Sequence, residues 1–190
     1  MPTYFVATFR FPDARFHGRA QYGEQEWPPS PLRVFQALLA SAARLDPQLS
    51  GPVANAFLRL EELPAPVIVT PKAISLNGYS LSVPNNEMDL VGAYWARGKY
   101  KNDGDGSPAT HRTMKRVKPR LMTSENNMIQ YRWLLPENGT NLEKDLEPLI
   151  PVARAVSALG WGMDLVIGDA AIVPQWDDPV ENSEPWQPQE

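Results

Sequence analysis

The chain contains no cysteine, which excludes disulfide staples, thiol catalysis and cysteine-ligated metal sites. Histidine is nearly as scarce, and His17 and His111 alone cannot complete an ordinary zinc site without carboxylate help. Long apolar runs are missing too. None approaches the roughly 20 residues that span a bilayer, and Met1-Pro2-Thr3 opens into strand-like sequence with no signal peptide. A soluble, cytoplasmic protein that makes no membrane contact is the expectation. There is also no phosphate-cradling glycine loop, no Ser-His-Asp set and no metal-ligand spacing, so neither cofactor nor metal is expected.

Proline, by contrast, is plentiful: 20 in 190 residues, about twice the usual share of roughly 5%. That excludes a long helical bundle or coiled coil and predicts short elements joined by rigid loops. With 43% hydrophobic and 21% charged residues the chain can bury a core. Its length suits one domain carrying a large insertion. The net charge of −4 hides a division. Residues 1–120 hold 15 Lys/Arg against 10 Asp/Glu, whereas residues 121–190 hold 3 against 12. Within the basic part, Arg97, Lys99, Lys101, Arg112, Lys115, Arg116, Lys118 and Arg120 are opposed only by Asp103 and Asp105. Such clustering points to a polyanion partner more strongly than the whole-chain charge does.

Tyr4 to Phe11 is aromatic and β-branched and predicts a buried first strand closed by Pro12-Asp13. Ser30-Pro31 predicts a capped helix start. Leu32, Phe35, Leu38, Leu39, Ala42 and Ala43 recur at helical spacing, giving a helix over about 31–45. A shorter helix is expected over 53–63 and a strand over 66–70. From Pro71 to Asn127 the pattern degrades into an insertion, set at about 72–127, with room for a hairpin or short helix. Met128 to Leu135 predicts a strand, Glu147 to Leu159 a helix stopped by Gly160, and Leu165 to Val173 a last strand bent at Gly168. The order β-α-(α)-β-insertion-β-α-β predicts an α+β, ferredoxin-like βαββαβ fold over 1–173, with the insertion between the second and third core strands. Such a sheet has a free face that commonly binds RNA. Residues 174–190, acidic and proline-rich, are expected to be a tail or linker outside the fold.

The strongest chemical feature is the basic segment 97–120 with Tyr94, Trp95 and Tyr100. Cations for phosphates beside rings for bases are what single-stranded RNA requires. The alternative is a solvated loop with aromatics buried beneath it. Arg15, His17 and Arg19 are spaced two apart, so an extended chain would point all three to one side, toward the sheet edge, with contact to phosphates or bases as the functional reading. His17 also has the chemistry of a general acid–base for metal-independent RNA cleavage, although a lone loop histidine is more often ordinary. Arg10 is a candidate for the open sheet face. Arg33 stands in the first helical turn, where a cation opposes the dipole, and needs either an external anion or Glu26. Trp27 is expected to pack as a hydrophobic staple, and Trp161 between Gly160 and Gly162 to serve packing and turn chemistry.

Phe9-Arg10-Phe11, then Arg15-Phe16-His17-Gly18, then the run from Glu26-Trp27-Pro28-Pro29-Ser30-Pro31 through Ala40 resemble a known family. They are similar to the start of the fused Cas-five/Cas-six subunit of type I-G (formerly I-U) CRISPR effector systems. A weaker likeness continues through Val83-Pro84-Asn85, Lys118-Pro119-Arg120 and Gly160-Trp161-Gly162. The resemblance implies a repeat-associated RNA-binding (RAMP) subunit of a Cascade complex in antiviral defence. Such a subunit grips the 5′ handle of the guide RNA and caps the backbone filament, while its thumb-like insertion reaches a neighbouring backbone subunit. The implied partners are guide RNA, the Cascade backbone and large subunits, and target DNA within the complex. Family members are longer and are expected to process RNA in a C-terminal domain, so this chain corresponds to the Cas-five-like part and is not itself expected to be catalytic. Two alternatives stand beside this: a pre-crRNA endoribonuclease using His17, and a protein-docking module without RNA contact.

Overall fold

Phe5, Ala7 and Phe9 alternate with Tyr4, Val6 and Thr8, so one side of the first strand is wholly apolar and seeks a covering layer. In a computed structural model that describes residues 2–20, 24–84, 112–136, 141–174 and 183–186, this strand lies inside an antiparallel sheet. The chain divides into two units, Met1–Leu76 with Pro119–Glu190, and Asn77–Lys118.

In chain order the first unit contains β1 (Thr3–Arg10), β2 (Arg15–Phe16), α1 (Pro31–Leu45), α2 (Gly51–Glu61), β3 (Val67–Pro71) and β4 (Ala73–Ser75). The second unit supplies β5 (Tyr79–Pro84) and β6 (Arg112–Val117). The first resumes with β7 (Arg120–Met122), β8 (Met128–Leu135), α3 (Leu142–Leu146), α4 (Leu149–Arg154), β9 (Ile167–Pro174) and β10 (Ser183–Trp186). Five strands pair in the order β10-β3-β8-β1-β9, all antiparallel. The architecture is α+β with antiparallel sheets.

Register explains the core. Phe5 faces Trp133 and Ile172, Ala7 faces Tyr131 and Ala170, and Phe9 faces Ile129 and Gly168. These side chains share one sheet face and form a single buried cluster with Val34, Leu38, Leu149 and Val152 from the helices. Each fully buried aromatic or aliphatic side chain contributes about 1.5–3 kcal/mol. Tyr131 is buried without penalty because its hydroxyl donates to Pro29 O at 2.7 Å, and burial holds its pKa well above the usual phenol value. Gly168 is required for close approach: a Cβ there would stand 2.1 Å from Ala153 O at the end of α4.

Several expectations change. In α1 the buried positions are Val34, Leu38, Ser41 and Ala42, while Leu32 is 65% exposed. The buried stripe is rotated because α1 also packs on α4, where Ser41 Oγ donates to Val152 O at 3.2 Å. The helix expected over 147–159 is the shorter α4, and α3 precedes it as a separate helix because Pro148 has no N–H to continue α3 into α4. Beyond Ala155 the chain leaves the helix, and Val166 N bonds Ser157 O at 3.0 Å. The compact second unit is narrower than 72–127, since β4 and β7 pair with each other, and β7 with β2, in a small sheet of the first unit. Within 174–190, expected to lie outside the fold, Ser183–Trp186 pairs antiparallel with β3 and adds an edge strand.

The second unit is a two-stranded ribbon pairing Tyr79 with Val117, Ser80 with Arg116, Leu81 with Lys115 and Ser82 with Met114. Facing residues of an antiparallel pair share a side, so Arg116 and Met114 stand with the two serines, and Lys115 stands on the other side.

Candidate functional site

After β1 the chain turns, re-pairs briefly as β2 against β7, and delivers Phe16 to the interior. Its ring lies 6.1 Å from both Phe11 and Trp27. Two glycines make this possible. A Cβ on Gly18 would fall 2.2 Å from Phe16 Cζ, and one on Gly160, which has φ +117°, would fall 3.1 Å from Cε2. Phe16 thus draws together the loop after β2 and the loop before β9.

A buried polar pair fastens the same two loops. His17 is 4% exposed and Asp164 1%. His17 Nδ1 lies 2.6 Å from Asp164 Oδ1, and the His17 backbone N–H donates to that oxygen at 3.0 Å. The other oxygen, Oδ2, accepts the Trp161 N–H at 3.2 Å. The Asp164 backbone closes its own loop, donating to Trp161 O at 2.8 Å and accepting from Leu159 N at 2.9 Å. Burial pushes the Asp164 carboxyl above the ordinary range, and the hydrogen bonds from His17 and Trp161 oppose that rise.

A second carboxylate organises the start of α1. Glu26 Oε1 accepts the Ser30 N–H at 2.8 Å, and Oε2 accepts Arg33 Nε at 2.9 Å together with a terminal guanidinium nitrogen. Arg33 also donates to Arg19 O at 3.3 Å. Glu26 therefore neutralises the cation that the helix dipole disfavours and gives Arg33 an internal carboxylate partner. Ser30 caps the helix through a 3.3 Å bond from Arg33 N. Trp27 is half-buried against Phe16. Its truncation to alanine is expected to lower the melting temperature, at less than the roughly 3–5 kcal/mol of a fully buried tryptophan, and to leave nucleic-acid binding intact. Thermal denaturation beside a binding titration checks both halves of that statement.

The proposed site residues are therefore not equivalent. Arg15 and Arg19 are exposed while His17 between them is sealed, so the three do not form one exposed row. The chain bends inward because His17 and Phe16 both bury there. Arg15 lies 3.8 Å from Asp13. Arg19 places its guanidinium carbon 5.6 Å from the centre of the Trp161 ring. Arg10 is exposed at the end of β1, on the alternate face from Phe5 and Phe9. Lys115, Arg116 and Lys118 are exposed and Arg120 is half-buried in β7. Arg112 pairs with Pro84 at the far end of the ribbon. Tyr94, Trp95, Arg97, Lys99, Tyr100, Lys101 and His111 lie outside the described residues. Sequence reasoning missed Asp164; the signal was a single carboxylate between Met163 and Leu165, just after a glycine-bracketed turn. Among the described residues no group of acidic and histidine side chains is placed to hold a metal ion, and no helix is long and apolar enough to cross a membrane.

A crystal structure of a CRISPR protein from Archaeoglobus fulgidus is similar at 15% identity with a TM-score of 0.43, covering 90% of this chain and 64% of that one. The chain thus spans less than two thirds of that protein. Comparison with curated proteins finds no match. A family model described as CRISPR-associated protein, GSU0054 family, matches residues 4–190. That match takes in β1, both carboxylate-fastened loops, the ribbon and the final strands, and the chain belongs to the GSU0054 family of CRISPR-associated proteins.

Proposed function

We propose that this chain is a guide-RNA-binding subunit of a CRISPR effector, a Cas-five-like RAMP module of type I-G Cascade that holds the 5′ handle and caps the backbone filament in the cytoplasm. The ferredoxin-like part of this reading draws support from the four core strands, which stand in the order β9-β1-β8-β3 with helices between them in sequence. The observation that carries the RNA part is the state of the cations. Arg33 and Arg154 each have a carboxylate partner within hydrogen-bond distance. Lys115, Arg116 and Lys118 are exposed on or beside one ribbon and have no such partner among the described residues. Cations gathered on or beside one two-stranded ribbon, without a carboxylate partner among the described residues, suit a phosphate backbone. The proposed partners beyond RNA are the neighbouring backbone subunit, met through the same insertion, and the large subunit.

The buried His17 weighs against its use as a general acid–base, which must come within hydrogen-bond reach of the proton it moves. Incubating the 190-residue chain with precursor RNA in EDTA decides between the readings. Retention of RNA at unchanged length is expected. Specific cleavage within the repeat, lost in a His17→Ala chain that its melting transition shows to be folded, would replace the binding reading with the endoribonuclease one.

A further inference from the structure

Trp161 is out of place as a core residue. Trp133 belongs to the buried cluster and Trp27 packs against it, but Trp161 is half-buried and joins neither group. It sits instead on a loop held unusually firmly, its backbone N–H donating to Asp164 and its carbonyl accepting the Asp164 N–H. Arg19, exposed and with no carboxylate partner among the described residues, lies over its ring. Gly162 next to it is exposed, with open space where a side chain would stand. A rigid aromatic at the surface, oriented by a buried clamp and paired with a guanidinium, is costly in hydration and unnecessary for packing.

We infer that Trp161 and Arg19 form a stacking platform for an unpaired nucleobase, and that Asp164, through His17 and the Trp161 amide, is the positioning residue that sets it. The ligand class is single-stranded RNA, so the inference rests on the RNA-binding reading above. An unpaired base can stack on an indole face or a guanidinium plane, whereas a base inside a duplex cannot reach either. Arg19 adds a cation near the phosphate that follows the stacked base. Holding both groups in place before binding avoids the ordering cost that a floppy loop would incur.

The test uses the full chain and a single-stranded RNA carrying one fluorescent purine analogue, scanned through successive positions. In the wild type, one position is expected to be quenched on binding. Trp161→Ala should abolish that quenching and weaken binding by about 5- to 150-fold, the range set by one base stack. Trp161→Tyr, which keeps a ring, should retain both signals, and Arg19→Ala should weaken binding less. Asp164→Ala, confirmed as folded by its melting transition, should lose the quenching although the tryptophan remains. That loss separates a positioning role from a merely structural one. If Asp164→Ala does not fold, the two surface variants still decide. RNA bound as in the wild type by folded Trp161→Ala, with quenching intact, overturns the platform alone. A wild-type chain that binds no RNA overturns the RNA-binding reading, and the platform with it.

Discussion

Replacing Lys115, Arg116 and Lys118 together with glutamate is expected to weaken guide-RNA retention by more than about 2 kcal/mol, roughly 30-fold. All three are exposed, and no carboxylate among the described residues neutralises them, so each is available to a phosphate. Arg116 and Lys115 stand on opposite sides of the ribbon by register, which suits a strand of RNA that wraps the element. Charge reversal removes the attraction and adds repulsion. Folding should survive, because the substituted side chains are solvated and none belongs to the core. Filter binding at moderate salt measures the effect. An affinity equal to that of the wild type would remove the ribbon from the RNA site.

His17→Ala is expected to destabilise the fold by about 3–5 kcal/mol, because it leaves the Asp164 carboxylate buried without its side-chain partner. Against a total stability of about 5–15 kcal/mol for a domain this is a large fraction. The loss should depend on pH with a definite sign. Asp164 has a folded pKa above its unfolded value, so its favourable contribution is complete below the unfolded pKa and is lost as pH rises through the folded one. His17→Ala takes away the side-chain hydrogen bond that helps hold that pKa down, while the backbone N–H at position 17 remains, so the pKa rises further and the window widens. The penalty of His17→Ala should therefore be smaller in acid and grow toward neutral pH. Denaturant midpoints across that range are the measurement; a penalty under about 1 kcal/mol, flat with pH, would contradict a buried, hydrogen-bonded pair.

Elements with local signals were legible from the sequence, and those decided by distant partners were not. Ser30-Pro31 at one end and Pro47 beyond the other framed α1 at Pro31–Leu45, and the alternation of Met128 to Leu135 defined β8. Both depend on neighbours within a few residues. Which side of α1 is buried depends on α4, more than a hundred residues away, and the periodic pattern of Leu32, Phe35 and Leu39 was compatible with more than one rotation. The edge strand Ser183–Trp186 forms because β3 presents a free edge, a fact no composition reveals. Glu26 as partner of Arg33 was readable because the two flank one helix start. Asp164 as partner of His17 was not, since only the packing of the two loops around Phe16 joins them. Arg15, His17 and Arg19 misled for a related reason: period-two spacing implies a shared side only where the chain is extended, and β2 ends at Phe16.

The central claim is that this chain holds single-stranded RNA through phosphate contacts made by its ribbon. Its most direct test is the affinity of the wild-type chain for guide RNA as a function of salt, beside the Lys115, Arg116 and Lys118 triple variant. The account predicts a linear fall of log affinity with log salt, at a slope of about 0.7 for each phosphate engaged, and a slope shallower by about 2 in the variant. Binding that is absent, or that holds steady as salt rises, would contradict it.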